Sequence, residues 1–360
     1  MKILVVGGGA VGSFLASRLA YTATGGATPE HHVTLLRRRA SQSGPMRLAV
    51  HGPAGERSTS ELVVARSTGE VDWAVDLVVL AIRAHDVPRA LDSLPPLPSV
   101  TLLSVQNGIG TEETIRERRP DLALVAASLT ASLELVEDAQ IAWLRRGGIG
   151  LASVNGGDAL IPQLASIFGR AGLHARAYVD WRAMKWSKLV ANLVGNATSG
   201  LLQMGVDRIY TDASTFPIER DQLREAFAVM EALGLKPVAL PGADIRALRV
   251  ALALPAPIAR PILRVAVGGG RGGKDPSLLL AMAAGADTTE VRWLNGAVVK
   301  YGAQLGVPTP VNTALTELVE RTLVDADLRD RLRHRPPELV EAVAHHPPRT
   351  ADADLASNPR

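Results

Sequence analysis

The sequence predicts an α/β protein, with an N-terminal doubly wound parallel sheet and a second, all-helical C-terminal domain. In the first half of the chain, short apolar runs typical of buried parallel strands alternate with helix-like stretches. After Asp180, most segments have helical periodicity and are separated by Gly and Pro. We therefore expect a sheet domain at residues 1–180, a helical domain at residues 181–332 and a partly disordered tail at residues 333–360.

The first strand runs directly into a glycine motif. Residues 3–6 read Ile-Leu-Val-Val, and the pattern GxGxxG follows before a helix-like stretch at residues 13–20. This order is typical of a Rossmann unit, where the glycines permit a tight turn, close approach of the backbone to a pyrophosphate and close packing of helix on strand. The helix N-terminus then faces the phosphates. The predicted cofactor-binding residues of this loop are Gly7, Gly9, Ala10, Val11 and Gly12.

Further strands follow in the order expected for alternating strands and helices. Their apolar runs lie at residues 32–36, 76–82, 100–105 and 122–129. Residues 48–66 predict a β-hairpin with a turn rich in Gly and Pro. A polar stretch at residues 22–32 predicts a mobile loop, because it is longer than the usual connection between a helix and a strand.

Composition excludes several classes of function. The 360 residues include no cysteine, which excludes disulfides, thiolate catalysis and cysteine metal sites, and we expect no bound metal. The net charge is only +3 and no dense basic block occurs, so we expect no nucleic-acid partner. The chain opens on a strand and has no apolar run of the roughly 18 residues that span a membrane. These features predict a cytoplasmic protein without a signal peptide or a membrane partner.

The residues after the second strand predict the type of nicotinamide cofactor. NAD enzymes usually carry Asp or Glu there, which binds the adenosine ribose. Here the strand is followed by Arg37, Arg38 and Arg39, and a guanidinium suits bidentate contact with a 2′-phosphate. We therefore expect NADPH/NADP⁺ rather than NAD, with Arg37 as the principal contact. A solvated basic loop is the alternative interpretation.

Asn107 is a candidate for both cofactor and substrate binding. It follows the strand at residues 100–105, and ligands of doubly wound sheets bind at the carboxyl ends of strands. Its amide can donate to and accept from a nicotinamide carboxamide or a substrate hydroxyl. The alternative is an Asn-Gly turn that binds no ligand.

Three polar residues near the start of the helical region, Lys188, Asn192 and Asn196, are spaced four residues apart in an apolar stretch. On one helix they would form a stripe along a single face. A lysine in such a half-buried position is costly unless a polar group lies opposite. A partly desolvated ammonium can act as a general acid near neutral pH. The alternative is a polar stripe on the surface.

Two further candidates lie later in the chain. Ser277 precedes an apolar helical run, where it could cap the helix or bind a carboxylate. Glu290 is expected in an amphipathic helix, where a solvated carboxylate is the ordinary interpretation. Neither residue identifies a reaction by itself.

These motifs together resemble one known family. The segments GGGAVG, QNGIGTEE, WSKLVANLVGN and PSLLL…TEVRWLNGAVV…GVPTP occur in the order seen in ketopantoate reductases (2-dehydropantoate 2-reductases). The resemblance covers most of residues 1–320. It implies a Rossmann domain followed by a helical domain, and NADPH-dependent reduction of 2-dehydropantoate to pantoate for pantothenate and coenzyme A biosynthesis. It leaves a homodimer open.

The resemblance also implies roles for individual residues. Lys188 matches the general acid of the family, and Glu290 matches a glutamate near the reacting centre. Arg37 matches the residue that contacts the 2′-phosphate. The residues that match substrate-binding positions are Asn107, Asn192, Asn196 and Ser277.

Arg83 departs from the pattern of the family. A lysine often follows the third strand of its members, where this chain has Arg83. Arginine keeps its proton and forms a planar fork, so it could bind a substrate carboxylate or the cofactor with different geometry. The small-molecule substrate could therefore be a 2-keto acid other than 2-dehydropantoate.

Two other interpretations stay open from the sequence. Opine-type and 3-hydroxyacyl dehydrogenases also combine a Rossmann domain with a helical domain. A hydroxyacyl enzyme needs a His–Glu pair, but the histidines after residue 180 are only His334, His345 and His346. A non-catalytic NADP-binding sensor is the second alternative, and the retained Lys188 and its neighbouring asparagines argue against it.

Overall fold

The computed structural model describes residues 1–21, 31–97, 99–270 and 275–346. Most of the predicted loop at residues 22–32 and the last part of the predicted tail lie outside these residues. The chain divides into two compact units. The domain ranges predicted above stay a prediction, because compact units need not coincide with independently folding domains.

The two units are interleaved along the sequence. The first is built from Met1–Ala191, joined by Pro237–Ala247 and a short stretch that begins at Gly269. The second contains Asn192–Lys236, Leu248–Gly268 and the described residues from Asp275 onward. The chain therefore enters and leaves each unit more than once.

The strands of the first unit form one mixed sheet. They are β1 (Lys2–Val6), β2 (His32–Leu36), β3 (Gly44–His51), β4 (Arg57–Ala65), β5 (Leu77–Leu80), β6 (Thr101–Ser104), β7 (Ala123–Leu129), β8 (Ser132–Glu137), β9 (Gln140–Arg145), β10 (Gly148–Asn155) and β11 (His174–Ala177). Their order across the sheet is β11-β10-β7-β6-β5-β1-β2-β4-β3-β9-β8. A separate small hairpin contains β12 (Ala239–Leu240) and β13 (Ala243–Asp244).

The centre of the sheet confirms the predicted parallel strands. β1 pairs in parallel with β2 and β5, and β6 pairs in parallel with β5 and β7. Every residue of β5 and β6 is buried, as expected for parallel strands that are covered on both faces. β3 and β4 form the predicted hairpin, with an antiparallel register that runs from Gly44–Val64 to His51–Arg57.

Five of the described helices pack against this sheet, and the last two residues of the fifth belong to the second unit. They are α1 (Ala10–Ala20), α2 (Val87–Asp92), α3 (Thr111–Arg118), α4 (Ile161–Arg170) and α5 (Trp181–Leu193). Helix α1 buries Phe14, Leu15 and Leu19 in the core. The Phe14 ring meets the Trp143 ring of β9 edge to face, with centroids 5.1 Å apart. The sheet therefore contacts α1 through an outer strand that the sequence does not predict.

The rest of the described chain is predominantly helical, as predicted. Its helices are α6 (Asn196–Leu202), α7 (Val206–Thr211), α8 (Phe216–Ala232), α9 (Ile245–Ala253), α10 (Ala256–Gly270), α11 (Ser277–Ala283), α12 (Asn295–Leu305), α13 (Pro310–Val324), α14 (Ala326–Leu332) and α15 (Pro336–Ala344). Helix α15 gives the first part of the predicted tail a regular structure, with Leu339 fully buried. Among the helices described, none combines the length and the hydropathy that a membrane span requires.

The register of the parallel strands brings the predicted loop residues to one edge of the sheet. Val6 pairs with Leu36 on one side and with Leu80 on the other. Leu80 in turn pairs with Ser104. The segments that follow these strands therefore emerge side by side at the carboxyl edge, where doubly wound sheets bind ligands. They carry the glycine-rich loop, Arg37, Arg83 and Asn107.

Candidate active site

The glycine-rich loop after β1 is packed closely, as its sequence predicts. Gly7 has φ = +118°, a conformation that favours glycine, and a Cβ there would collide with the carbonyl of Ala81. A Cβ on Gly12 would collide with the carbonyl of Gly7. At Gly9, by contrast, a Cβ would meet no described atom within 4 Å. The loop therefore leaves open space at the residue predicted to approach a pyrophosphate.

The N-terminus of α1 fits the phosphates of a dinucleotide. Gly9 is the N-cap residue, no side chain of the described residues caps the helix, and its first turn contains no acidic residue. The first backbone N–H groups of a helix have no intrahelical partner, and the helix dipole favours an anion beside them. A pyrophosphate at Gly9, Ala10 and Val11 would therefore meet N–H donors and no carboxylate of the first turn.

Arg37 lies beside this loop and is held by Asp138, a residue that the sequence does not predict. The Nη1 of Arg37 donates to the backbone carbonyl of Asp138 at 2.5 Å, and its Nη2 donates to the carboxylate at 2.6 Å. The Arg37 side chain is 8% exposed, and a Cβ on Gly8 would collide with its methylene groups. Arg38 and Arg39 are exposed. Arg37 is thus fixed against the glycine-rich loop, and its guanidinium has further N–H donors beyond these two bonds.

Arg83 is exposed in the loop after β5 and directly precedes a short 3₁₀ helix, Ala84–Asp86. The residue before it, Ile82, accepts a hydrogen bond at its carbonyl from Gln106 Nε2 at 3.2 Å. The same Nε2 donates to the carbonyl of Leu80 at 2.7 Å. The loop that carries Arg83 is thereby tied to the loop that follows β6.

A buried polar cluster lies next to Asn107, and we define it as Ser104, Gln106, Glu112 and Lys185. Lys185 Nζ donates to the carbonyl of Gln106 at 2.5 Å and lies 2.8 Å from Glu112 Oε1. Ser104 Oγ lies 2.7 Å from Gln106 Oε1 and 2.8 Å from Glu112 Oε1. The side chains of Lys185 and Glu112 are 1% and 0% exposed, whereas Asn107 is exposed. The cluster therefore links three elements: β6, the start of α3, and α5. Asn107, which is exposed, lies next to it in the sequence.

Lys185 is a functional candidate that sequence reasoning missed in favour of Lys188. The two lysines lie three residues apart in α5, and Lys188 is half-buried. A signal for Lys185 was present, because it stands between Met184 and Trp186, two residues of an apolar helix face. Lysine is almost never fully buried unless it is paired, so this position indicated a buried partner. No feature of the sequence around its partner Glu112 indicated that this glutamate is buried or paired with Lys185.

The predicted single stripe of Lys188, Asn192 and Asn196 is wrong at its third member. Lys188 and Asn192 lie one turn apart in α5, which ends at Leu193. Asn196 is the first residue of the next helix, α6. Gly195 separates the helices, since its φ of +60° is left-handed. Asn196 is buried, and Asn192 is half-buried.

Asn196 connects α6 to α11 within the second unit. Its Oδ1 accepts a hydrogen bond from the backbone N–H of Leu278 at 3.2 Å and from Ser277 Oγ at 3.5 Å. Ser277 is exposed and is the first residue of α11, whose N-cap is Pro276. The interpretation of Ser277 as the N-cap is therefore wrong. Two residues predicted to bind substrate, Asn196 and Ser277, are in contact with each other.

The start of α6 is held by a buried carboxylate that the sequence does not predict. Glu219 of α8 is fully buried. Its oxygens accept from the backbone N–H of Gly195 (2.7 Å), Tyr210 OH (2.9 Å), Gln222 Nε2 (2.8 Å) and the hydroxyl of Thr198. Because Gly195 directly precedes Asn196, Glu219 fixes the backbone at a predicted site residue. A glutamate in an amphipathic helix is ordinarily solvated, so its spacing gave no signal.

Glu290 is half-buried, and the prediction that it lies in an amphipathic α-helix is wrong. It directly precedes a 3₁₀ helix, Val291–Trp293, and its carbonyl accepts from the backbone N–H of Trp293 at 3.0 Å. The chain adopts a short 3₁₀ turn here, and the next α-helix, α12, begins at Asn295. Within the described part of the chain, no three or more His, Cys, Asp or Glu side chains are grouped as metal ligands.

Known families and proteins match this chain along most of its length. Residues 3–156 match the family described as "Ketopantoate reductase PanE/ApbA", and residues 180–322 match "Ketopantoate reductase PanE/ApbA C terminal". A 2-dehydropantoate 2-reductase of Pyrobaculum aerophilum is 30% identical, over 88% of this chain and 96% of the relative. A 2-dehydropantoate 2-reductase of Mesorhizobium japonicum is 27% identical, over 90% of this chain and 98% of the relative.

Solved structures share the fold. A PanE/ApbA family ketopantoate reductase from Ralstonia eutropha aligns with a TM-score of 0.72 at 24% identity, over 92% of this chain and 99% of that chain. D-mandelate dehydrogenase, in a ternary structure with NADH and anilino(oxo)acetate, aligns with a TM-score of 0.68 at 20% identity, over 92% and 99% of the two chains. Because the two family matches together span most of the sequence, this chain belongs to the ketopantoate reductase family of oxidoreductases.

Proposed function

We propose that the protein uses NADPH to reduce a 2-keto acid to a 2-hydroxy acid, and that this keto acid is 2-dehydropantoate. The shared name of its relatives supports the substrate, and the open space at Gly9 supports a dinucleotide. The family match supports the reaction type, and the observation that supports the candidate site is the bond from Lys185 to the Gln106 carbonyl. It places α5, which carries Lys188, against the loop that carries Asn107.

When bound, NADPH would supply a hydride to the ketone carbon. Lys188 donates a proton to the ketone oxygen, and its positive charge stabilises the developing alkoxide before the proton moves. Asn107 orients the nicotinamide carboxamide or the substrate through its amide. The N-terminus of α1 binds the pyrophosphate. Glu290 acts near the reacting centre.

The substrate assignment follows the functional groups of 2-dehydropantoate, which has a carboxylate, a ketone and a terminal hydroxyl on a dimethyl carbon. We assign the carboxylate to Ser277, with Arg83 as a second contact. We assign the hydroxyl to Asn192 and Asn196. The contact between Ser277 and Asn196 supports a shared role for these two residues.

A reductase of another 2-keto acid is the second candidate, and Arg83 favours it. The residue is exposed at the carboxyl edge of the sheet, where the family often has a lysine. A planar guanidinium binds a carboxylate in a bidentate manner that an ammonium cannot reproduce. The preferred keto acid can therefore differ from that of relatives with lysine at this position.

We expect a strong preference for 2-dehydropantoate over 2-ketoisovalerate, which lacks the terminal hydroxyl. If Asn192 and Asn196 bind that hydroxyl, 2-ketoisovalerate leaves their amides unpaired, and kcat/KM should be lower by about 100-fold or more. Steady-state oxidation of NADPH measures both values. As a control, Asn192→Ala should reduce the preference by slowing the reaction of 2-dehydropantoate. Equal kcat/KM for the two acids in the wild type would favour the second candidate.

NADPH is the proposed cofactor, with Arg37 as its contact for the 2′-phosphate. Arg37 follows β2 directly, and the three residues after that strand are arginines, with no Asp or Glu among them to bind the ribose hydroxyls of NADH. The bonds to Asp138 hold the guanidinium beside the glycine-rich loop. A preorganised guanidinium loses little freedom when it binds a phosphate.

Arg37→Ala is expected to weaken the binding of NADPH by about 10- to 100-fold, because a hydrogen bond to a charged group contributes about 1.5–3 kcal/mol. Binding of NADH should change much less. Fluorescence titration with both cofactors measures the two dissociation constants. Arg38→Ala and Arg39→Ala alter exposed neighbours and should bind NADPH as the wild type does. Tighter binding of NADH than of NADPH by the wild type, or a loss confined to these two control variants, would overturn the assignment.

A further inference from the structure

We propose that the buried pair of Lys185 and Glu112 positions Asn107 and Lys188 relative to each other, an inference that rests on the proposed function. Neither Lys185 nor Glu112 is assigned a contact with substrate or cofactor. They act through other residues and are therefore positioning residues. Their role is to hold the loop after β6 and the helix α5 in one fixed arrangement.

The ammonium of Lys185 joins two elements that each carry a candidate site residue. Its Nζ donates to the carbonyl of Gln106, the residue that directly precedes Asn107. Lys185 also lies three residues before Lys188 in α5, so the two side chains are neighbours on the helix surface. A shift of α5 against the loop would therefore move Lys188 relative to Asn107.

The side chain of Gln106 extends this connection to the loop that carries Arg83. Its Nε2 donates to the carbonyl of Leu80, the last residue of β5, and to that of Ile82 in the loop that follows. Its Oε1 lies within hydrogen-bond distance of Ser104 Oγ in β6. The polar cluster thus ties the ends of two parallel strands to α5, and each connected segment carries a residue assigned to the reaction.

Burial makes the pair a strict geometric constraint. The Lys185 and Glu112 side chains are almost completely buried, so solvent cannot replace either partner. Glu112 Oε2 is buried without a hydrogen-bond partner among the described atoms. Well-packed apolar residues of similar volume often stabilise a fold as well as a buried ion pair does. A contribution to folding stability therefore does not explain why two charged residues are buried here. Their role in fixing the relative position of the loop after β6 and α5 does.

Variants of the two residues separate positioning from stability. Lys185→Met removes the donor to the Gln106 carbonyl and leaves the carboxylate of Glu112 buried without its cation. The double variant Lys185→Met/Glu112→Gln removes both charges, so it avoids the penalty of an unpaired buried charge. Glu112→Gln alone keeps an acceptor oxygen for Ser104 and Lys185. Thermal unfolding and kcat are measured for each variant.

We expect Lys185→Met to unfold at a lower temperature than the wild type and to lose kcat. In the double variant the unfolding temperature should return toward the wild-type value, while kcat stays roughly 10- to 100-fold lower, since a displacement of about 1 Å can cost about 100-fold. The kcat of Glu112→Gln should fall less than the kcat of Lys185→Met or of the double variant. The matched control is Arg118→Met, which removes an exposed ion pair of α3 with Asp92 and should leave both quantities unchanged.

Recovery of kcat together with thermal stability in the double variant would overturn the positioning role and make the pair purely structural. Wild-type kcat in folded Lys185→Met would overturn it equally. The wild-type protein in the same series tests the proposed function. Its NADPH oxidation is measured with 2-dehydropantoate and with other 2-keto acids, and the variants are then compared on the acid that the wild type reduces fastest. A wild type that oxidises no NADPH with any of them contradicts the proposed function and this inference together, whereas a fully active double variant contradicts the inference alone.

Discussion

Replacing Lys188 with alanine is expected to lower kcat by about two to four orders of magnitude. Lys188 is half-buried in α5, and α5 contacts the Asn107 loop through Lys185. In the proposed reaction, the substrate oxygen loses both its proton donor and the charge that stabilises the developing alkoxide when the ammonium is removed. Steady-state oxidation of NADPH with 2-dehydropantoate measures the loss.

Binding of NADPH separates a loss of chemistry from a loss of fold in this variant. The loop assigned to the pyrophosphate lies between β1 and α1, so Lys188→Ala should bind NADPH with near wild-type affinity. Arg182→Ala is the matched control, because Arg182 is an exposed cation in the first turn of the same helix. This control should keep wild-type kcat. Near-wild-type turnover by Lys188→Ala would remove Lys188 from the mechanism.

Replacing Glu219 with alanine is expected to lower the free energy of unfolding by about 3–5 kcal/mol. Four donors, from Gly195, Thr198, Tyr210 and Gln222, converge on this buried carboxylate. Each buried donor left without an acceptor costs about 1–3 kcal/mol, reduced where water or a rearrangement replaces the carboxylate. Denaturant unfolding followed by circular dichroism measures the change.

The same helix provides a control for the Glu219 variant. Glu231 of α8 is 72% exposed and pairs with Arg249 at 3.0 Å, and its replacement by alanine should change the free energy of unfolding by less than about 1 kcal/mol. Glu219→Gln keeps one acceptor oxygen and should fall between the two alanine variants. Since Gly195 precedes Asn196, we also expect Glu219→Gln to raise KM for the keto acid. Equal unfolding free energies for Glu219→Ala and Glu231→Ala would contradict the assigned network.

The parallel strands could be predicted because each is a continuous apolar run that is buried on both faces. β5, at Leu77–Leu80, falls within the predicted run at residues 76–82. β8 and β9 could not be predicted in this way, because only one or two residues of each are buried. Their place in the sheet depends on a pairing between distant segments, such as Val50 with Ile141. Such pairings are decided by tertiary contacts and leave little periodicity in the sequence.

The same distinction applies to the candidate site. The position of Arg37 and Asn107 at the carboxyl edge of the sheet could be predicted because they closely follow β2 and β6, and strand ends define the ligand edge of a parallel sheet. Asp138, which holds Arg37, is 101 residues away from it in the sequence. Lys185 is 79 residues from the carbonyl it binds. Neither spacing nor periodicity reports which distant groups meet, so the residues that position the site were found only in the structure.

The break between the helices that carry Asn192 and Asn196 could not be predicted from the sequence pattern either. An isolated glycine is tolerated within a helical pattern, so Gly195 did not by itself predict the end of α5. In the structure Gly195 has a left-handed backbone conformation, and its N–H group donates a hydrogen bond to the carboxylate of Glu219. The helix therefore ends where a distant carboxylate offers the backbone an alternative hydrogen bond.

Hydride transfer from NADPH to the ketone carbon can be tested most directly by following the transferred atom. The wild-type protein is incubated with 2-dehydropantoate and with NADPH deuterated at one or the other transferable position of the nicotinamide ring. Mass spectrometry then measures deuterium in the product. We expect pantoate with deuterium on its carbinol carbon from one of the two labelled cofactors and unlabelled pantoate from the other. Absence of deuterium from pantoate with both cofactors, or no pantoate while NADPH binds tightly, would contradict the proposed reaction.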